Sequence, residues 1–165
     1  ITWLLLLLVV NTATASIIAG QEQLLAEVVL LAAFIPLLIG TGGNIGAQSA
    51  TVVIRGLSTG EIRPRRAMSI IGREVSVGLL LGVTLGLAVL AWSYWLGRDS
   101  SVSLVVAMTL VAVATLATAV GSALPFVFQL SKVDPALVSA PLVTTVMDIS
   151  GVGVYFFVAR LLIAA

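Results

Sequence analysis

The chain has 165 residues, 60% of them hydrophobic and only 9% charged, with eight basic against seven acidic side chains. A soluble domain carries about a quarter charged residues, so this composition, with a mean hydropathy of +1.22, reads as an integral membrane protein. The absence of His and Cys excludes imidazole–thiolate zinc sites, disulfides, thiol redox chemistry and Ser-His-Asp or Cys-His catalysis.

Five membrane spans are predicted, at about 1–19, 24–57, 74–96, 101–129 and 135–160. The chain starts at Ile1 rather than Met, so a piece trimmed from something longer is expected. Its first span lacks a small-residue cleavage site in the right context and reads as a transmembrane helix. Asn11, Thr12, Thr14 and Ser16 should turn toward neighbouring helices, where they can find hydrogen-bond partners. Gly20 ends this span, and Glu22 and Glu27 lie in the acidic connection after it.

Val28 to Ile54 carries no charge and exceeds a bilayer's thickness, so tilting, bending or extension beyond the surface is expected. Pro36, Gly40, Gly42 and Gly43 supply reasons to bend. Arg55, Arg63, Arg65, Arg66 and Arg73 make the next connection basic, and Pro64 forbids one helix through it. Glu74 is expected to pair with nearby arginines. The third span closes on Trp92, Tyr94 and Trp95, a cluster suited to the membrane–water interface. A tight turn at Gly97 to Ser100 leads to the fourth span, whose last turns Gly121 and Pro125 should loosen. Asp134-Pro135 then offers an N-cap and a first helical position for the fifth span.

Six basic residues (Arg55, Arg63, Arg65, Arg66, Arg73 and Lys132) fall on one face, against Arg98 and Arg160 on the other. The positive-inside rule makes the first face cytoplasmic. The protein is thus expected in the cell membrane, plasma or inner, with its N-terminus inside and its C-terminus outside. No soluble domain or convincing internal repeat is visible, and no nucleic-acid partner is expected.

Asp148 has no other charge between Asp134 and Arg160, which places it near the bilayer midplane. A charge there costs at least ~2.5 kcal/mol. It could be a packing residue, protonated or satisfied by Ser and Thr neighbours. The alternative is an ion site, because no Lys, Arg or His lies at the same depth to neutralise it. Thr144, Thr145, Gly151 and Tyr155 share its helical face. Thr hydroxyls and carbonyls freed by Pro141 can bind water, and small Gly151 leaves room beside the carboxylate. Oxygen ligands of this kind suit Mg²⁺, Ca²⁺ or Mn²⁺ rather than zinc or copper.

A second constellation is GTGGNIGAQSAT, from Gly40 to Thr51. Gly42, Gly46 and Ala50 follow the small-xxx-small packing pattern, as do Gly43 and Ala47. Asn44, Gln48, Ser49 and Thr51 are many polar groups for a purely packed segment, and would line an aqueous path or bond to the fifth span. The stretch is not a P-loop, lacking its Lys and spacing. Gly78, Gly82 and Gly86 form a ladder among Leu and Val neighbours and read as packing. A single acid at depth without an accompanying base argues against an enzyme.

PLLIGTGGNIGAQSATVVIRGLSTGEI, GREVSVGLLLG and VDPALVSAPLVTTVMDISGVGVYFFVARLL closely resemble the membrane domain of the MgtE magnesium channels and, more distantly, its animal solute-carrier relatives. The resemblance covers nearly the whole chain. It implies a homodimer of five helices per subunit, with a pore along the dimer axis lined by the second and fifth. The family's pore aspartate falls on Asp148, two copies of which would hold a hydrated Mg²⁺. The backbone around Thr144 would help through water, and the TGGN-to-QSAT stretch would complete the wall. Many members have Thr and Asn where this chain has Ile45 and Ala47, and Asn at Ala140, so this wall is less polar. The cytosolic N-domain and CBS domains that close the bacterial channels at high internal Mg²⁺ have no counterpart in these residues. The expectation is a dimeric channel for Mg²⁺ or a similar divalent cation such as Mn²⁺ or Ca²⁺. Its rivals are a Na⁺- or H⁺-coupled carrier and a non-transporting membrane scaffold.

Overall fold

Long apolar stretches leave backbone N–H and C=O groups no water to bond, so they must be satisfied within the chain, as helix. The computed structural model describes residues 2–95, 100–132 and 140–163, and no strand occurs among them. The elements are α1 (Thr2–Ala19), α2 (Glu22–Glu27), α3 (Leu30–Ser58), α4 (Ala67–Trp95), α5 (Ser100–Leu130) and α6 (Ala140–Ile163). Four spans, Leu30–Ser58, Pro64–Trp95, Ser100–Leu130 and Pro141–Ile163, are long and apolar enough to cross a membrane. The described apolar part of α1, Leu7–Ala19, is shorter.

α5 is the hub. It packs against α4, α3 and α6, while α6 also meets α3 and α1. The small residues decide how closely. A Cβ on Gly82 would stand 2.6 Å from Cα of Val111, and one on Gly86 would stand 3.0 Å from the Ala107 carbonyl oxygen. At Gly78 it would run into the Thr118 side chain. The ladder is therefore the edge along which α4 lies on α5, and most of its other apolar side chains, Leu79, Leu80 and Leu87 among them, are exposed as lipid-facing groups would be. Gly121 does not loosen the end of α5, which runs unbroken through Pro125 to Leu130. It is buried where a Cβ would fall on the backbone of Gly46.

Pro64 lies in the break between α3 and α4, as expected, and Pro36 does not end its helix. Val28, at φ −129° and ψ 75°, separates α2 from α3, whereas Pro36 stays inside α3. At the other end of α3, Gly60 takes φ 75° and the Ile62 N–H bonds to the Gly56 carbonyl at 2.8 Å. A single turn of 3-10 helix at Pro64–Arg66 follows, and α4 begins early enough to carry Arg73 and Glu74. Trp92, Tyr94 and Trp95 are exposed at its far end. Of the four polar residues of α1 singled out in the sequence, Thr14 is buried and Asn11, Thr12 and Ser16 are exposed. Thr12 and Ser16 bond back to the Val9 and Thr12 carbonyls of their own helix, so they need no neighbour. Across the bundle, Arg160 donates to the Gln21 side chain at 2.7 Å, tying the end of α6 to the α1–α2 joint. Gly97, Arg98 and Asp99, and the Asp134-Pro135 N-cap, lie outside the described residues.

Gly121→Ala should lower the midpoint of thermal unfolding in detergent, because only backbone stands in the way and overpacking of this kind costs ~1–3 kcal/mol. Gly72→Ala, with nothing within 4 Å of its Cβ position, should leave the midpoint unchanged or raise it, since Ala is favoured over Gly in helices by ~0.5–1 kcal/mol.

Candidate functional site

α3 and α6 run antiparallel in close contact. Tyr155 lies against Leu31, donating its hydroxyl to the Leu31 carbonyl at 2.9 Å. Further along, Gly42 faces Met147, Gly43 faces Thr144, and Gly46 faces Val143 and Met147. Each of these glycines is buried, so the backbone of α3 can approach α6 where side chains would hold it off. Asp148 falls between the Met147 and Tyr155 contacts, part-way along the crossing.

Asp148 itself is half-buried. Among the described residues its carboxyl group has no hydrogen-bond or ion-pair partner, and no group of three or more acid, His or Cys side chains gathers anywhere. One chain thus presents a single open carboxylate rather than a closed metal cage.

The neighbours expected on its face divide. The hydroxyls of Thr144 and Thr145 both donate to the Pro141 carbonyl, at 3.0 and 2.8 Å. Their protons are therefore committed to the helix, and what each oxygen retains is acceptor capacity. Thr144 is half-buried and can offer it to water, whereas Thr145 is buried. Gly151 does not open space beside the carboxylate. It is buried, and the contact a Cβ there would make is with Val113 of α5, at 3.9 Å. Tyr155 is fully buried and anchors α6 instead of facing the acid.

The polar stretch of α3 divides into a packed face and an exposed one. Gly42, Gly43, Gly46 and Ala50 are buried against α5 and α6. Gly40, Asn44, Gln48 and Thr51 are exposed and recur at helical spacing, giving one polar stripe. Ser49 leaves that stripe. It is 4% exposed and donates to Oε2 of Glu74 on α4 at 2.9 Å.

Glu74 therefore bonds to a serine rather than an arginine. In sequence, the basic residues nearest in the chain are its obvious partners. The available signal was the four-residue ladder Gly78, Gly82, Gly86, which extends one step back to Glu74 and puts it on the packed edge.

Residues 35–158 match the family model MgtE, described as divalent cation transporter. The chain is 43% identical over 165 residues to the magnesium transporter MgtE of Thermus thermophilus, covering all of this chain and 36% of that protein. It is 37% identical over 157 residues to the Bacillus subtilis protein of the same name, covering 95% and 35% respectively. For the Enterococcus faecalis protein, also so named, the figures are 33% over 159 residues, 96% and 35%. The chain thus spans about a third of the length of these relatives.

Tyr155→Phe removes one buried hydrogen bond without changing shape. It should lower unfolding stability by ~1 kcal/mol, read as a reduced thermal midpoint.

Proposed function

The chain belongs to the MgtE family of divalent cation transporters, and from that membership we propose that it carries Mg²⁺ across the membrane through a pore formed by two copies. In this reading all five of the long helices, α1 included, cross the bilayer, with the N-terminus cytoplasmic and the C-terminus outside. The path runs between the copies, walled by α3 and α6 of each. Asp148 from both subunits holds the ion, and Asn44, Gln48 and the oxygen of Thr144 offer acceptors along the wall.

The observation that carries this reading is the unpartnered, half-buried carboxylate of Asp148 inside a membrane-spanning helix. Left facing lipid it would cost at least ~2.5 kcal/mol. A second subunit with a divalent cation between the two removes that cost, because two carboxylates balance two positive charges. The donor set fits the ion as well. Mg²⁺ gives up its waters reluctantly and takes only one or two carboxylates from a protein, and bound waters present O–H donors outward. A wall of carboxylate, amide and hydroxyl oxygens accepts them, and the Thr144 hydroxyl, its proton engaged by Pro141, has only acceptor capacity to offer. Transport asks no bond-making of the chain.

The test is Mg²⁺ uptake into proteoliposomes by the native chain and by Asp148→Ala, both verified as dimers in detergent. Uptake by the native chain should fall to the rate of empty liposomes in the variant. Equal rates would make Asp148 a packing residue and leave the chain a carrier by another route or a scaffold.

A further inference from the structure

α3 and α4 both lie on α5 but scarcely pack on each other. Toward the Trp92 end they are separated by a groove of about 400 Å³, lined by Leu30, Ala33, Phe34 and Leu37 on one side and Val89 and Trp92 on the other. Toward the basic end a polar bond spans the gap, from the Ser49 hydroxyl to Oε2 of Glu74 at 2.9 Å. The same hydroxyl lies 3.3 Å from the Thr118 carbonyl of α5, which already accepts from Ser122 at 2.6 Å. A hydroxyl has one proton to give, and the carboxyl oxygen is the shorter of its two acceptors.

We propose that Glu74 is a positioning residue for the ion path: through Ser49 it fixes the rotation of α3 that turns Asn44 and Gln48 toward that path. The proposal rests on the pore reading above. Successive residues on a helix are about 100° apart, so the buried Ser49 and the exposed Gln48 cannot share a face. Holding Ser49 inward holds Gln48 outward. The glycine contacts of α3 fix how closely it lies on α5 and α6; a directional bond to an acid on a separately anchored helix adds an angular reference. Glu74 is well suited to the task because α4 is itself locked to α5 by the ladder that starts one turn further on, at Gly78.

The chain contains no Cys, so single cysteines can report the rotation directly. Gln48→Cys and, in the core of α5, Val105→Cys (0% exposed) would be treated with a charged, membrane-impermeant thiol reagent in proteoliposomes. The backgrounds are native, Glu74→Ala, Glu74→Gln and Ser49→Ala. Gln48→Cys should react in the native background and slow by roughly tenfold or more with Glu74→Ala or Ser49→Ala, the scale set by losing a hydrogen bond to a charged group. The double variant Glu74→Ala/Ser49→Ala should be no slower than either single one, since both remove one interaction. Glu74→Gln, whose amide oxygen still accepts, should keep the native rate, and Mg²⁺ uptake should follow the same order. Equal labelling in the native and Glu74→Ala backgrounds overturns the proposal, as does simultaneous exposure of Val105→Cys, which would show general loosening. Failure of Gln48→Cys to react even in the native background overturns the pore reading and the positioning role with it.

Discussion

Where α3 crosses α5, the backbones of Gly46 and Gly121 touch with no side chain between them. In a bilayer the lipid tails are as apolar as Leu, so no hydrophobic gain drives helices together and close van der Waals contact must do it. That makes the width of a crossing the quantity on which everything else depends. Gly42 and Gly43 extend the same narrow face of α3 to Val113 of α5 and to Met147 and Thr144 of α6, so three helices meet where their side chains are smallest. The placement of Asp148 follows from it. The acid sits one residue beyond the Gly42–Met147 contact, and a wider crossing would move it relative to α3.

The narrow face also explains why α3 can be polar. With one side filled by glycines against protein, its Asn, Gln and Thr side chains need occupy only the other. Thr51 bonds to Ala47 on its own helix at 2.8 Å, as Thr144 and Thr145 bond to Pro141, so the hydroxyls carry their donors inward and leave acceptors outward. Hydroxyls held this way offer acceptors to the waters of a hydrated cation. Ser49 is the exception that defines the boundary between the two faces, because its proton goes to Glu74.

Much of this was legible in the sequence, and the failures have one cause. The helical class, the ladder of Gly78, Gly82 and Gly86, and the packing half of the Gly40 to Thr51 stretch could be read because small residues at four-residue spacing have a physical meaning in lipid. The facing of the other residues could not. In a water-soluble helix the apolar stripe marks the core, but in a membrane both the core and the lipid face are apolar, so periodicity of hydropathy says little about which way a helix turns. Gly121 thus reads in sequence as a weak point although it is a contact, and Gly151 as space beside the acid although it faces α5. Asn11, Thr12 and Ser16 read as needing neighbours, although Thr12 and Ser16 satisfy themselves on their own helix. Distance along the chain points Glu74 to arginines, whereas its partner is 25 residues away on a neighbouring helix.

The proposed pairing of two chains also bears on which ions pass. A lone Asp148 facing a monovalent cation would be neutral, so one carboxylate gives no preference for charge +2. Two carboxylates brought together repel, and that repulsion is relieved fully by a divalent ion and only half by a monovalent one. The preference then arises from the assembly and from no feature of the single chain. Its fine adjustment falls to whatever sets the spacing and rotation of the walls. On the α6 side that is the Tyr155 bond to Leu31 and the glycine contacts. On the α3 side, which scarcely packs against α4, it would be the bond between Ser49 and Glu74. Charge at the centre would determine the valence of the ion, and the hydrogen bonds behind the wall would determine how much of its water it keeps.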